Sequence, residues 1–393
     1  KLNSYRNRKV YKFGVLVPRD HNHAMEIDTQ NGNKNWHNAE KLELSQLEEY
    51  DTFIDKGKGI DKVDEYKKIK VHFVYDVKHD GRLKARLVAG GHLTDVPIDS
   101  IYSGVVSLKG IRLVTFLAEL NKLPTWTTDI GNAYLEAKTK EKVYIVAGPE
   151  FNELEGHVLI INKALYGLRS SGLRWHEKLA DTLRDMGFHP SKGINDIWMR
   201  RNGEIYEYIA CYVDDLCIVA KDPENITNLL HKKYGYKLKS TGPINYHLGC
   251  DYFRDKDNNL CYAPRKYILK MIEDFKRLFG STPKEYTSPL EKGDHPELDT
   301  SGILGEDDIK IYQSLIGALQ WTISLGRMDI STAVMTMSGF RTSPRKGHLD
   351  RLKRIYGYLS KMRHSTSRIR THEPDYSEIP DCEHDWEYSV YGD

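Results

Sequence analysis

The pattern of hydrophobic and polar residues predicts two kinds of structure along the chain. Alternation over residues 70–90, broken at a D-G step, indicates a β-hairpin, and a strand over 123–130 carries Asp129 near its end. Hydrophobic residues at helical spacing predict helices at 36–50, 108–121, 175–186, 264–279, 309–325, 329–340 and 347–363. The rest of 1–60 is polar and poorly periodic, and 281–308 has the Pro, Gly and acidic residues typical of a loop. The pattern therefore predicts an α+β front two-thirds with antiparallel hairpins, followed by a helical last third.

Two adjacent aspartates interrupt a hydrophobic run in the stretch I-A-C-Y-V-D-D-L-C-I-V-A at 209–220. Buried charge is costly unless it is compensated, and carboxylates so close cannot both stay ionised without a counter-charge. The strand-like runs on both sides predict a hairpin whose turn carries Asp214 and Asp215 at one end of a sheet. A divalent cation would supply the missing charge, and hard oxygen ligands suit Mg²⁺.

A third carboxylate, Asp129, follows the same logic. If strand 123–130 is the neighbour of strand 209–213, Asp129 and Asp214 meet at one sheet edge and could hold two Mg²⁺ ions between them. A second adjacent pair, Asp307–Asp308, has polar neighbours and is most easily explained as exposed residues near a helix start. The pattern by itself leaves open whether the first pair is functional or caps a turn.

Composition narrows the class of protein. The chain has 393 residues, enough for two or three subdomains, with 39% hydrophobic and 29% charged residues. Its hydrophobic runs are all shorter than the ~18 residues of a membrane helix, so no membrane partner is expected. Five scattered cysteines without a C-x-x-C motif favour a reducing compartment. The chain begins with Lys1, and we expect it to be a piece of a longer polypeptide.

Charge is unevenly distributed although the net charge is only +2. Residues 341–370 hold ten Lys or Arg and one acidic residue, whereas 371–393 hold eight Asp or Glu and neither Lys nor Arg. A strongly basic stretch indicates a polyanionic partner, and the alternative is a solvated helix face beside a solvated linker. Charge alone does not decide between them.

Several motifs, taken in order, resemble those of a known family. Y-V-D-D at 212–215 resembles the Y-x-D-D box of reverse transcriptases, and D-I-G-N-A-Y-L at 129–135 resembles their first catalytic motif. K-A-R-L-V-A-G-G at 84–91 and N-K-A-L-Y-G-L-R at 162–169 are similar to motifs of copia-type retrotransposon polymerases. Y-H-L-G at 246–249 resembles the primer-grip region. The resemblance covers residues 36 to 364. The sequence departs from the family pattern at R-S-S-G (169–172) and R-M-D-I (327–330).

The resemblance implies a right-hand polymerase fold with fingers, palm and thumb. The implied domains are a lead-in at 1–60, fingers and palm at 61–255 and a helical thumb and connection region at 256–370. The fingers would be 61–122 and about 140–172, and 371–393 would be an acidic linker towards a ribonuclease H domain. Asp129 and Asp214 would be the main ligands of two Mg²⁺ ions, or of Mn²⁺, with the Ile130 carbonyl assisting. Asp215 would be essential but less directly a ligand.

The resemblance also assigns substrate contacts to particular residues. Tyr134 would be a steric gate against the ribose 2′-hydroxyl, although such an aromatic could also be an ordinary core residue. The other implied contacts are Lys78, Lys84 and Arg86 on the triphosphate, Tyr166 and Gly167 in the nucleotide pocket, Leu248 and Gly249 at the primer end, and Arg351, Lys353, Arg354 and Lys361 on the nucleic-acid backbone.

The expected function is RNA-directed DNA polymerisation. The implied partners are an RNA template, a DNA primer or RNA–DNA hybrid, deoxynucleotides, and the ribonuclease H and integrase domains of the same polyprotein. The implied location is intracellular, in a cytoplasmic particle or the nucleus. The sequence leaves two alternatives open: a nucleic-acid-binding remnant without catalysis, and a two-metal nuclease.

Overall fold

The structure, a computed structural model, describes residues 9–78, 81–94 and 103–372. Within these residues the chain divides into two compact units. The first comprises the described residues up to Val114 together with Pro124–His247, and the second comprises Thr115–Leu123 and the described residues from Leu248 onwards. The acidic linker expected at 371–393 lies outside the described residues, apart from its first two.

The first unit is a mixture of strands and helices. In chain order its elements are β1 (Val10–Lys12), β2 (Val15–Val17), α1 (His21–Asn31), α2 (Asn35–Glu49), β3 (Phe53–Lys58), β4 (Lys67–Lys68), β5 (Val71–Val77), β6 (Leu83–Ala89), α3 (Leu108–Leu120, shared with the second unit), β7 (Thr125–Ile130), α4 (Ala133–Glu136), β8 (Val143–Val146), β9 (His157–Ile161), α5 (Ser171–Asp185), β10 (His189–Pro190), β11 (Ile197–Asn202), β12 (Ile205–Tyr212), β13 (Asp215–Val219), α6 (Pro223–Lys232), β14 (Leu238–Pro243) and β15 (Tyr246–His247).

A six-stranded antiparallel sheet forms the centre of this unit, in the order β10-β11-β12-β13-β7-β14. Helices α5 and α6 supply hydrophobic side chains to one face of it. Trp175, Leu179 and Leu183 of α5 share a core with Ile209 and Ile218 of the sheet. The spacing of these α5 residues matches one face of a helix, which is why the sequence pattern located the helix.

Two smaller sheets complete the first unit. Strands β3, β9, β8 and β4 form one of them, and β5 and β6 form the antiparallel hairpin predicted over 70–90. Helix α2 packs on β6, and its buried Trp36 and Leu47 join the hydrophobic core under the hairpin. One side of α2, with the half-buried Glu43 and Gln46, contacts β6 and the turn after β7.

The second unit is mainly helical. Its elements are β16 (Cys250–Arg254), β17 (Leu260–Ala263), α7 (Arg265–Phe279), α8 (Glu306–Ser324), α9 (Ser331–Ser338), α10 (Lys346–Lys361) and β18 (Ser367–Arg368). The four helices enclose one hydrophobic core, and β16, β17 and β18 pair antiparallel. Asp307 and Asp308 lie exposed in the first turn of α8, as predicted. Among the described helices, none is both long enough and hydrophobic enough to cross a membrane.

The predicted helices and hairpins are confirmed to within a few residues, but the first 60 residues contain more structure than their pattern indicated. Strands β1, β2 and β3 and helix α1 had no clear periodicity. Local capping accounts for α1: the Asp20 side chain accepts a hydrogen bond from the His23 amide (2.9 Å), and Gly32 ends the helix with φ +62°. The loop predicted at 281–308 is confirmed up to Gly305, apart from a short 3₁₀ turn at Pro296–Leu298.

Candidate active site

The two adjacent aspartates occupy different positions in the β12–β13 hairpin. Tyr212 pairs with Asp215, so Val213 and Asp214 form the turn and Asp215 begins β13. Val213 has φ +58°, a left-handed conformation that is rare for a β-branched residue. Its carbonyl accepts a hydrogen bond from the Trp175 indole nitrogen at 2.8 Å. A buried helix residue therefore holds the strained turn that presents Asp214.

Asp129 reaches this hairpin through β13 and not through β12. The condition considered from the sequence, that strand 123–130 is the neighbour of strand 209–213, is not met, because β13 lies between them in the sheet. Asp215 is instead the direct register partner of Asp129, and the Ile130 amide donates a hydrogen bond to the Asp214 carbonyl (2.8 Å). The three carboxylates still gather at one end of the sheet, since the turn places Asp214 beside Ile130, the last residue of β7.

The pKa values of Asp214 and Asp215 are both raised. Burial, followed by the negative charges of Asp214 and Asp129, raises the pKa of Asp215 to about 6. The pKa of Asp214 is also raised, first by burial and then by Asp129, while the cations Arg86 and Lys84 act in the opposite direction. Such a cluster favours a bound cation, because a cation removes the repulsion that now favours protonation.

No three His, Cys, Asp or Glu side chains within the described ranges stand close enough together to enclose a metal ion. The donor set nevertheless fits a hard divalent cation, since all three groups are carboxylates and share one sheet end. Their side chains would have to turn towards the ion when it binds.

Tyr134 lies beside the aspartates in a stack of three side chains. Its ring centroid is 4.8 Å from that of Tyr166, and the Arg86 guanidinium lies over the Tyr166 ring at 5.0 Å. Burial and the negative charge of Asp214 raise the pKa of Tyr134, and burial raises that of Tyr166 to about 12. Both phenols are therefore neutral at physiological pH, and the stack joins the predicted gate residue to the predicted triphosphate-binding arginine.

A basic pocket lies next to this stack. Among the residues that line it are Lys78, Lys84, Arg86 and Lys239. Burial and the neighbouring positive charges of Arg86, Lys78 and Lys239 lower the pKa of Lys84, so cations are crowded here. A polyanion in the pocket would relieve that repulsion.

Lys239 was missed by the sequence reasoning. It lies in β14 directly opposite Asp129, on the other side from Asp215, and its side chain approaches Gly131. The sequence feature that could have indicated it is the alternation of Lys237 and Lys239 in Y-K-L-K-S. This alternation predicts a strand with one polar face, but it does not show which residues that face contacts.

The motif at 162–169 docks directly on the motif at 84–91. The Ala89 amide donates to the Tyr166 carbonyl at 2.7 Å, and Gly167 has φ +92°. A Cβ on Gly167 would lie 2.1 Å from the Ala89 carbonyl oxygen, so only glycine fits at this position. Arg169, one of the departures from the family pattern, donates from Nε to the Gly91 carbonyl (2.9 Å) and so strengthens the same contact.

The remaining predicted residues lie in the second unit. Leu248 (φ +43°) and Gly249 (φ +88°) form a left-handed turn before β16. Arg351 is bound to Asp294 and Asp299 (2.7 and 2.6 Å), Arg354 to Glu291 (2.8 Å) and Lys353 to Asp350 (3.0 Å). Of the four predicted backbone-binding residues, Lys361 is the exposed one. The roles assigned to these six residues stay predictions.

The chain is similar in sequence to one protein family and to several transposon proteins. The sequence model of a family described as reverse transcriptase (RNA-dependent DNA polymerase) matches residues 58–290. A retrovirus-related Pol polyprotein from transposon RE1 of Arabidopsis thaliana is 30% identical over 284 residues, which are 71% of this chain and 19% of the relative. The putative transposon Ty5-1 protein of Saccharomyces cerevisiae is 30% identical over 253 residues, or 62% of this chain and 78% of the relative.

A third relative, a retrovirus-related Pol polyprotein from transposon TNT 1-94 of Nicotiana tabacum, is 29% identical over 310 residues. The match covers 74% of this chain and 23% of that polyprotein. The chain therefore spans about a fifth of the length of the two Pol polyproteins and most of the Ty5-1 protein.

Proposed function

The chain belongs to the reverse transcriptase family, and from that premise we propose that it is an RNA-directed DNA polymerase that extends a primer with deoxynucleotides. The observation that carries the proposal is the meeting of Asp129, Asp214 and Asp215 at one end of the six-stranded sheet. The proposed substrates are an RNA or DNA template, a primer bearing a free 3′-hydroxyl, and deoxynucleoside triphosphates.

In the proposed reaction the primer 3′-oxygen attacks the α-phosphorus of the incoming nucleotide. The new bond forms between that oxygen and the α-phosphorus, and the proton of the 3′-hydroxyl passes to solvent. The bond to the bridging oxygen breaks, and pyrophosphate leaves with both electrons of that bond. Asp129 and Asp214, with the Ile130 carbonyl, would hold two Mg²⁺ or Mn²⁺ ions. Bound there, such ions neutralise charge on the attacking and leaving oxygens.

The chain's own residues position the nucleotide. Lys78, Lys84 and Arg86 would bind the triphosphate, and the crowding of positive charge around Lys84 gives the pocket its preference for a polyanion. We add Lys239 to this set because it lines the same pocket. Tyr134, supported by its stack on Tyr166, would fill the space that a ribose 2′-hydroxyl needs. Tyr166 and Gly167 would line the base and sugar side.

The proposed hand-like organisation follows the two units. The six-stranded sheet would be the palm, the β5–β6 hairpin and the β3-β9-β8-β4 sheet would belong to the fingers, and 256–370 would be the thumb and connection region. Leu248 and Gly249 would steady the primer end, and among the predicted backbone-binding residues of α10 the exposed Lys361 would contact the nucleic-acid backbone. Ribonuclease H and integrase domains of a polyprotein are proposed partners, since two of the relatives are Pol polyproteins.

Primer extension on an RNA template with deoxynucleotides and Mg²⁺ tests the proposal. The wild-type protein is expected to extend the primer, and Asp214→Asn to reduce extension at least about a thousandfold. Asp308→Asn is the matched control, because it makes the same change in an exposed aspartate pair of the second unit. Wild-type protein that binds template but does not extend it would support the remnant, and degradation of the template would support the nuclease.

A further inference from the structure

Helix α2 contacts three parts of the candidate site through one face. Glu43, Gln46 and Tyr50 follow at helical spacing, with Tyr50 just past the end of the helix. The Glu43 carboxylate accepts a hydrogen bond from the Leu87 amide of β6 (3.1 Å), and the Tyr50 hydroxyl donates to the Gly131 carbonyl (3.3 Å). The helix thus connects the basic hairpin with the turn that follows Asp129, although it lies outside the residues matched by the family.

Gln46 makes the middle contact. Its Oε1 accepts a hydrogen bond from Asn132 Nδ2 at 3.2 Å. Asn132 has φ +53° and ψ +38°, a left-handed conformation, and lies between Asp129 and Tyr134 in the chain. This side-chain bond therefore supports the turn that sets the positions of a proposed metal ligand and of the proposed gate.

The rest of the Gln46 amide faces the basic pocket. Gln46 and Asn132 both line that pocket, together with Lys84, Arg86 and Lys239. The side chain is half-buried, and within the described part of the chain its Nε2 makes no hydrogen bond. An amide N–H₂ can donate to a phosphate oxygen without adding a further positive charge to a crowded set of cations.

We propose that Gln46 is a nucleotide-binding residue with two bonds: Oε1 holds the Asn132 turn, and Nε2 donates to the triphosphate of the incoming nucleotide. The inference rests on the proposed function, which supplies the triphosphate. It assigns to α2 a direct part in nucleotide recognition in addition to its packing on β6.

Gln46→Glu separates the two bonds. A glutamate keeps an oxygen that can accept from Asn132, but it replaces the donor with a negative charge that faces the triphosphate. We expect the KM for deoxynucleotides to rise at least about tenfold while kcat stays within about threefold, since the loss is one of nucleotide binding. Gln46→Ala removes both bonds, and we expect it to raise KM and also to lower kcat. A role confined to supporting the turn would leave the Gln46→Glu values at those of the wild type and would overturn the proposal.

Asn38→Asp is the matched control. It adds the same charge to an exposed position of the same helix, away from the pocket lining, and its KM is expected to stay within about twofold of wild type. An equal rise in KM for Asn38→Asp and Gln46→Glu would show a general charge effect and would also overturn the proposal.

Calorimetric titration of the protein with the Mg²⁺ complex of a deoxynucleoside triphosphate provides a readout that does not depend on catalysis. We expect Gln46→Glu to weaken this binding at least about tenfold relative to wild type and to Asn38→Asp. Equal affinity in the three proteins would overturn the assignment of Gln46. A wild-type protein that binds nucleotide but never extends a primer would refute the proposed function, while the comparison of Gln46→Glu with wild type would still decide the role of this residue.

Discussion

Asp215, the first residue of β13, lies directly opposite Asp129 of β7 in the antiparallel pairing of these strands. Side chains at directly opposed positions of an antiparallel pair lie on the same face of a sheet, about 5 Å apart. Like charges there repel, and Asp214 in the adjoining turn adds a third. The site is therefore arranged at some cost to the stability of the metal-free protein.

Asp215→Asn should stabilise the metal-free protein at neutral pH. Because the pKa of Asp215 is raised from 3.8 to about 6, the folded state holds this proton more tightly than the unfolded chain does. The free-energy penalty of ionising Asp215 in the folded state therefore grows between these two pH values and is complete above about pH 6. After allowance for partial exposure to water, we expect a gain of about 1–2 kcal/mol at pH 7.5, which disappears below about pH 4. Urea unfolding in the presence of a chelator measures it.

Urea unfolding of both proteins in the presence of Mg²⁺ provides the control. A bound cation should stabilise the wild type more than Asp215→Asn, because in the variant the substitution has already removed the repulsion that the cation relieves. A variant that is less stable than wild type in chelator would contradict this account of the cluster.

Tyr134→Val should reduce discrimination against ribonucleotides by about 10–100-fold, because it empties the space beside the sugar. Tyr134→Phe keeps the ring and its stack on Tyr166, so discrimination should be retained. Competing single-nucleotide incorporation of a ribonucleotide and the matching deoxynucleotide gives the ratio. Unchanged discrimination in the valine variant would mean that Tyr134 is an ordinary packing residue.

Gly167→Ala should destabilise the first unit by about 2–4 kcal/mol. Its left-handed backbone disfavours any side chain, and the new Cβ would also collide with the Ala89 carbonyl. Gly235→Ala is the control for backbone strain alone. Gly235 has φ +78°, and no atom of the described residues lies within 4 Å of the position that an added Cβ would take, so about 1 kcal/mol is expected there. Equal losses in thermal unfolding would show that the close docking of the two motifs contributes nothing.

The ion pair between His176 and Asp196 should make stability depend on pH. The two side chains meet at 2.5 Å, and the hydrogen bond to Asp196 raises the pKa of His176, against smaller effects of burial and of Arg184. A raised histidine pKa gives stability that is complete below the unfolded value of 6.5 and is lost as pH rises through the folded value.

Replacement by glutamine isolates this effect. Because His176 is about one-third exposed, we expect His176→Gln to cost about 1 kcal/mol or less at pH 5.5 and still less at pH 9. Unfolding curves at both pH values provide the comparison. A loss that grows with pH would have the wrong sign for this pair.

Arg351 and Lys361 should act differently although both lie on α10. Arg351→Ala leaves Asp294 and Asp299 without their partner, and we expect it to destabilise the second unit by about 2–3 kcal/mol. Lys361→Ala should leave stability unchanged and lower the slope of log affinity against log salt for an RNA–DNA duplex by about 1. Filter binding at several salt concentrations distinguishes them. A stable Arg351→Ala variant with a reduced slope would place that side chain on phosphate.

Much of the fold could be predicted from hydrophobic spacing. Helices α5, α7 and α10 each bury one continuous face, and the alternation in β5 and β6 matches a hairpin with one buried side. Helix α1 could not be found in this way, because its residues lack a clear period, although caps at Asp20 and Gly32 mark its ends.

The three aspartates of the candidate site could be selected from the sequence, but their geometry could not be predicted. The D-D pair stood out because charge interrupts a hydrophobic run, yet the pattern could not show that β13 separates β12 from β7. Strand order depends on contacts between distant segments, which local periodicity does not record. Gln46 and Lys239 were missed for the same reason, since each is an ordinary polar residue until the fold brings it to the pocket.

The pairing of β3 with β9 affects where the chain can be trimmed. A fragment limited to the family match at 58–290 would lack Phe53 and Ile54, the partners of Ile161 and Ile160. Strand β9 would then become an unprotected edge rich in aliphatic residues, which is a template for aggregation. Insolubility of such a fragment would thus report a severed sheet, and a boundary ahead of Asn35 would preserve both the sheet and the helix beside the pocket.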